Sequence, residues 1–188
     1  MKKFISFAAM MLLCVLSLSA QNYKGSWISP QSFEKYFGLA DEKMVEETGM
    51  KAPLIMKISD QEIRTGVYIT LEEDGNGIEM FVIYPGTYTI ENNVVKAQYK
   101  TDAVEVKLVD LKTNDPETKA LMEGGAKSLV LSMLEGQIKE ELKPMLKEFE
   151  KITTVFSDFT IIADEANADA MTVKLSEELS IPLIRIPQ

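Results

Sequence analysis

"VYITLEEDGNGIEMFVIYPGTYTIENNVVKAQY", residues 67–99, decides the fold. Its first residues alternate: Val67, Ile69 and Leu71 share one side, Tyr68 and Thr70 the other. That is the period-two pattern of a half-buried strand. Asp74-Gly75-Asn76-Gly77 follows as a hairpin turn, because Asp-Gly and Asn-Gly supply the positive φ that such turns need. IEMFVIY, 78–84, is apolar on both faces in its middle and is expected to be buried on both sides. Pro85-Gly86 suits the centre of a type II turn. TYTI, NN and VVKAQY then read as strand, turn and strand, and Thr101-Asp102-Ala103 separates them from VEVKLVDL at 104–111. Short strands joined by tight turns make an antiparallel meander.

Upstream, PLIMKI at 53–58 is a further strand, bounded by Pro53 and by Ser59-Asp60. Residues 32–50 read as helical turns, with Asp41 as N-cap and Gly49 as stop.

Downstream, the meander is interrupted over 115–152. Asp115 is an N-cap and Pro116 takes the first helical position. Leu131, Leu134, Ile138, Leu142, Met145, Phe149 and Ile152 recur at spacings of three or four, a single amphipathic stripe. Gly124-Gly125 should break the helix and Pro144 should kink it. Glu135–Lys139 and Glu123–Lys127 have the spacing of i,i+4 pairs. Such a helix either packs on its own barrel, the usual fate of an apolar stripe, or offers that stripe to a partner or gates a ligand.

TTVFSDFTIIA (153–163), MTVKL (171–175) and LSIPLIRIP (179–187) return to strand patterning. In the loop at 164–170, Asp164, Glu165, Asn167 and Asp169 lack the spacing and distal glutamate of an EF-hand, so the loop reads as a solvated turn.

Residues 1–20, MKKFISFAAMMLLCVLSLSA, have a basic start, an apolar core and small residues at the end, the layout of a secretory signal. The apolar run is shorter than the about 20 residues a membrane anchor needs. Leu13 precedes Cys14 where an acylated cysteine normally follows a small residue, so no lipid anchor at Cys14 is expected. The expected mature chain, 21–188, is a single domain located in the periplasm or outside the cell. It contains neither cysteine nor histidine.

Disulfides, imidazole or thiolate metal sites, and Ser-His-Asp or Cys-His catalysis are thereby excluded from the mature chain. Neither a metal nor a cofactor is expected. The whole chain has a net charge of −9. Since the leader removes only lysines from that balance, the mature chain is more acidic still. Nucleic acid and anionic membrane surfaces are disfavoured as partners, and no membrane span is expected.

An open sheet of about eight strands leaves edges that pair with other chains, and closing it into a barrel removes them. A tryptophan on the first strand and a cation on the last would meet at that closure, where guanidinium–indole stacking contributes on the order of 1–2 kcal/mol. Gly25-Ser26-Trp27 resembles the Gly-x-Trp signature of lipocalins and the wider calycin group. Arg185, in PLIRIP, stands where those proteins keep a final-strand arginine packed across that tryptophan. The hairpins between Ile69 and Val95 are similar to those of short lipocalin-like secreted proteins of the Bacteroidetes. The resemblance implies a mostly β fold: an antiparallel up-and-down lipocalin-like β-barrel, here with a long amphipathic helix inserted between strands. Trp27 and Arg185 would be its closing pair.

Two functions follow as expectations. In the first, the barrel binds or carries a small apolar molecule lined by Tyr68, Tyr88 and Tyr99, since tyrosine offers an apolar body with one polar handle. In the second, the barrel is filled and the protein is an envelope interaction module that meets a protein partner through the 115–152 helix. A glycosidase-type carboxylate pair is the enzymatic alternative, but nothing marks such a pair among so many scattered acids, and the chain is expected to be non-enzymatic.

Overall fold

The computed structural model describes residues 23–33, 45 and 49–187. The leader and most of the helical turns expected over 32–50 lie outside the described residues. Nine strands are described: β1 (Gly25–Ser32), β2 (Pro53–Ile58), β3 (Glu62–Glu73), β4 (Asn76–Glu91), β5 (Val94–Tyr99), β6 (Glu105–Lys112), β7 (Asp158–Ala163), β8 (Ala170–Lys174) and β9 (Ser180–Arg185). Eight of them close an antiparallel barrel in the order β1-β2-β3-β4-β5-β7-β8-β9, with β9 pairing back onto β1. β6 pairs with β4 alone among the strands.

The hairpin turns form where the sequence supplies residues that tolerate positive φ. Asp74 and Gly75 join β3 to β4 at φ 49° and 77°, and Asn92 and Asn93 join β4 to β5 at 50° and 65°. These are the two-residue turns whose twist matches that of the flanking strands.

Pro85-Gly86 is not a turn, because β4 runs through it. One edge of β4 pairs with β6 as far as Ile83–Glu105 and with β5 from Gly86–Tyr99 onward. The Pro85 carbonyl accepts from Lys100 N at 2.9 Å, on that same edge. The missing proline N–H therefore falls in the gap between the two neighbours, where the ladder needs no donor. Nor does VEVKLVDL extend the meander beyond β5. The chain doubles back, and β6 lies beside the first half of β4.

Between β6 and β7 stand four helices: α1 (Pro116–Leu121), α2 (Lys127–Glu141), α3 (Lys143–Phe149) and α4 (Lys151–Val155). Asp115 caps α1 by accepting from Thr118 N at 2.7 Å. α1 and α2 make one run of 26 residues through a π turn, Met122–Ala126, in which Gly125 takes φ 91°. Residues 153–155, expected in a strand, belong to α4. Ile152 and Phe156 flank them and are fully buried, so tertiary packing overrides the β preference of Thr153, Thr154 and Val155.

The expected i,i+4 pairs are replaced by contacts to β6 and to the residue just before it. Glu135 Oε1 accepts from Leu108 N at 3.0 Å, Lys139 Nζ donates to Val104 O at 3.2 Å, and Lys127 pairs with Asp110 at 2.8 Å. α2 thus protects the outer edge of β6 in place of a further strand.

Alternate residues of every strand fill the barrel, including Leu54, Met56, Ile63, Val67, Ile69, Met80, Val82, Val173 and Leu183, all buried. Phe149, Ile152 and Phe156 join this core from the helical segment, each with no exposed surface. Leu131, Leu134, Ile138 and Leu142 pack against it, half-buried. Leu131, Leu134, Ile138, Leu142, Phe149 and Ile152 of the stripe therefore pack on the barrel, where each large apolar side chain buried contributes about 1.5–3 kcal/mol.

Candidate functional site

The structure brings Trp27 and Arg185 together. They are partners in the β1–β9 pairing, and the guanidinium carbon of Arg185 lies 4.2 Å from the indole centroid. Trp27 is buried, and its Nε1 donates to Tyr23 O at 2.9 Å. Arg185 Nη1 donates to Lys24 O at 2.7 Å and its Nε pairs with Asp169 at 3.1 Å. The backbone N of Arg185 donates to Asp169 O at 2.8 Å, which ties the 164–170 loop to the seam.

Gly25 stands beside this pair. Its φ is 141°, and a Cβ there would stand 2.4 Å from Arg185 Nη1. A side chain there would displace the guanidinium from this position, and glycine also accepts this φ without strain.

The three tyrosines do not share a face: Tyr88 and Tyr99 have inner parity on the paired strands β4 and β5, and Tyr68 does not. Tyr68 lies on the outer face, opposite in direction to Val67 and Ile69, so it does not line the interior as expected. Its ring is 4.9 Å from Phe81 and its hydroxyl donates to Glu79. Loss of hydration, and then the Glu79 bond, push its pKa up to about 12. Tyr88 has the interior parity of β4 but reaches the β2–β3 turn, where its hydroxyl donates to Ser59 O at 2.7 Å. Tyr99 meets Thr65 Oγ1 at 2.8 Å, and burial pushes its pKa upward.

The tyrosine at the centre of the barrel is Tyr84, which the sequence reading missed. It is 1% exposed, and its hydroxyl donates to Leu146 O on α3 at 2.9 Å. Burial pushes its pKa up to about 12. Its parity with Met80 and Val82 was the available signal; its partner, 62 positions away, had none. Tyr84 therefore joins the barrel wall to the helical segment whose Phe149, Ile152 and Phe156 occupy the core. These side chains belong to the same buried cluster as Val67, Ile69 and Val82 on the barrel wall.

Outside, α2 is apolar on a second face. Leu129 and Met133, one turn apart, are 64% and 69% exposed, and Leu121 on α1 is 56% exposed. Among the described residues, no group of three or more acids forms a metal site, and no helix is long and apolar enough to cross a membrane. In the 164–170 loop, Asp164 Oδ1 accepts from Ala166 N and Asn167 N, and Asn167 Oδ1 accepts from Asp169 N.

The eight-stranded antiparallel barrel is compatible with a lipocalin-like fold. No protein-family model and no curated protein sequence matches the chain.

Proposed function

We propose that this chain is an exported, non-enzymatic, lipocalin-like protein of the calycin group that acts as an interaction module of the cell envelope, meeting a protein partner through α2. The leader-like residues 1–20 and the Trp27–Arg185 seam support export and the family reading. The observation that carries the partner reading is the exposure of Leu129 and Met133 on a helix whose other face, Leu131, Leu134 and Ile138, packs on the barrel.

The first expectation, a small apolar molecule carried inside the barrel, would require α3 and α4 to withdraw, because Tyr84, Phe149, Ile152 and Phe156 are packed there. The filled interior favours the interaction module.

A photo-crosslinking residue placed at 129 or 133 tests the reading in intact cells. One discrete adduct with an envelope protein is expected, with none from position 138. Leu129→Lys with Met133→Lys should abolish partner binding while changing stability by less than about 1 kcal/mol. Identical adduct patterns from 129 and 138, or none from either, would contradict it.

A further inference from the structure

The middle of β4 is apolar on both faces, but only its inner face is fully buried. Outside the barrel, Phe81 and Ile83 are half-buried and line a groove of about 340 Å³ together with Ile55, Lys57, Arg64 and Lys107. Strand register explains the shape. Gly66 on β3 is the partner of Ile55 on β2 and also of Ile83 on β4, so two isoleucines flank a position without a side chain. Gly66 cannot be filled, because a Cβ there would stand 1.9 Å from Val82 O.

The rim is cationic on a chain whose net charge is −9. Arg64 is held by Glu105 through Nη1 contacts of 3.0 and 2.9 Å to the two carboxylate oxygens. Lys57, beside Arg64, and Lys107, beside Phe81, are exposed, and their ammonium groups make no hydrogen bond or ion pair among the described residues. An apolar floor with an uncommitted lysine at each end matches one ligand chemistry: an acidic head carried on an apolar chain. The volume falls within the roughly 300–1,000 Å³ of ordinary small-molecule sites.

We propose that this outer groove binds a free amphipathic carboxylate, its chain over Ile55, Phe81 and Ile83 and its head on the lysine at one end of the groove, Lys57 or Lys107. The site is distinct from the barrel interior and from α2, and it does not rest on the partner reading above. Apolar contact holds the chain, and charge-assisted hydrogen bonds select the head.

Three probes with the same ten-carbon chain test this by NMR titration below their micelle concentrations: decanoate, decanol and decyltrimethylammonium. Saturable shifts are expected at Ile55, Lys57, Phe81, Ile83 and Lys107, with decanoate about tenfold tighter than decanol and the cation weakest. Lys57→Glu with Lys107→Glu alters exposed residues only. It should weaken decanoate about tenfold and leave decanol unchanged. Leu129→Lys with Met133→Lys should leave decanoate binding intact, which separates this site from the α2 surface. Equal affinity for the three probes, shifts confined to interior residues such as Val173, or no saturable binding would overturn the proposal.

Discussion

Arg185 lies across Trp27 at 4.2 Å, joining the last strand to the first over a separation of 158 positions, and Gly25 leaves the space the guanidinium fills. Arg185→Ala should cost about 2 kcal/mol, from lost stacking and the lost hydrogen bond to Lys24 O. Arg185→Lys should recover only part, because an ammonium does not stack as a planar guanidinium does. The double variant with Trp27→Phe should be less unstable than the sum of the single effects, by about 1 kcal/mol. Gly25→Ala should be severe alone and milder on an Arg185→Ala background, where the clash is removed. Additivity in both cycles, measured by urea denaturation, would contradict the seam.

Glu135 satisfies a buried backbone donor on an otherwise open strand edge. Glu135→Ala should cost about 1–3 kcal/mol by leaving the Leu108 N–H unpaired, and should raise aggregation through β6. Glu135→Gln keeps an acceptor and should recover most of both. Light scattering and thermal melts read the two effects separately.

Ile138 and Lys139 are neighbours with opposite burdens. Ile138 packs against the core, whereas Lys139 is exposed and reaches one carbonyl. Ile138→Asp should cost several kcal/mol, and Lys139→Asp under about 1. Equal small effects in denaturant melts would mean that α2 stands off the barrel.

The pH profile should be flat across neutrality and fall at both ends. No histidine is present, so none titrates between acid and alkali. Tyr84 is raised from 10.0 to about 12 by burial. The unfolded chain therefore loses its proton first, so the stability from the neutral phenol is intact below pH 10 and is lost as pH rises toward 12. Tyr84→Phe should flatten that fall. Asp110 is lowered, first by its bond to Lys127. Its contribution is present at neutral pH and is lost as pH falls through its depressed folded value, and Lys127→Ala should reduce that acid loss. A tyrosinate absorbance difference between the parent and Tyr84→Phe that appears before unfolding would contradict the burial of Tyr84.

Local chemistry made much of this legible. Asp74-Gly75 and Asn92-Asn93 announce their turns through the positive φ they tolerate. Asp115-Pro116 announces a helix start, and alternation identifies β3 and both faces of β4. What escaped depends on partners far along the chain. Pro85-Gly86 carries a genuine turn signal, overridden because β4 exchanges one neighbour for another at that point. Glu135 and Lys139 have the spacing of a helix pair but are drawn to β6. Tyr84 and Tyr68 look alike in sequence, yet parity sends one into the core and the other to the surface. Lys57 and Lys107 are 50 positions apart, and only the doubling back of β6 brings them to one groove.

If the helical segment fills the barrel, xenon finds no room inside it. An apolar cavity of about 150 Å³ takes up xenon, and a packed core does not. Methyl NMR of the parent protein under xenon should show no saturable shifts at Ile152, Ile161 or Val173. Ile152→Ala should create a cavity and bring those shifts on at Ile161 and Val173. Saturable shifts in the parent protein, with the Tyr84 contact to α3 undisturbed, would mean a hollow barrel and contradict the account.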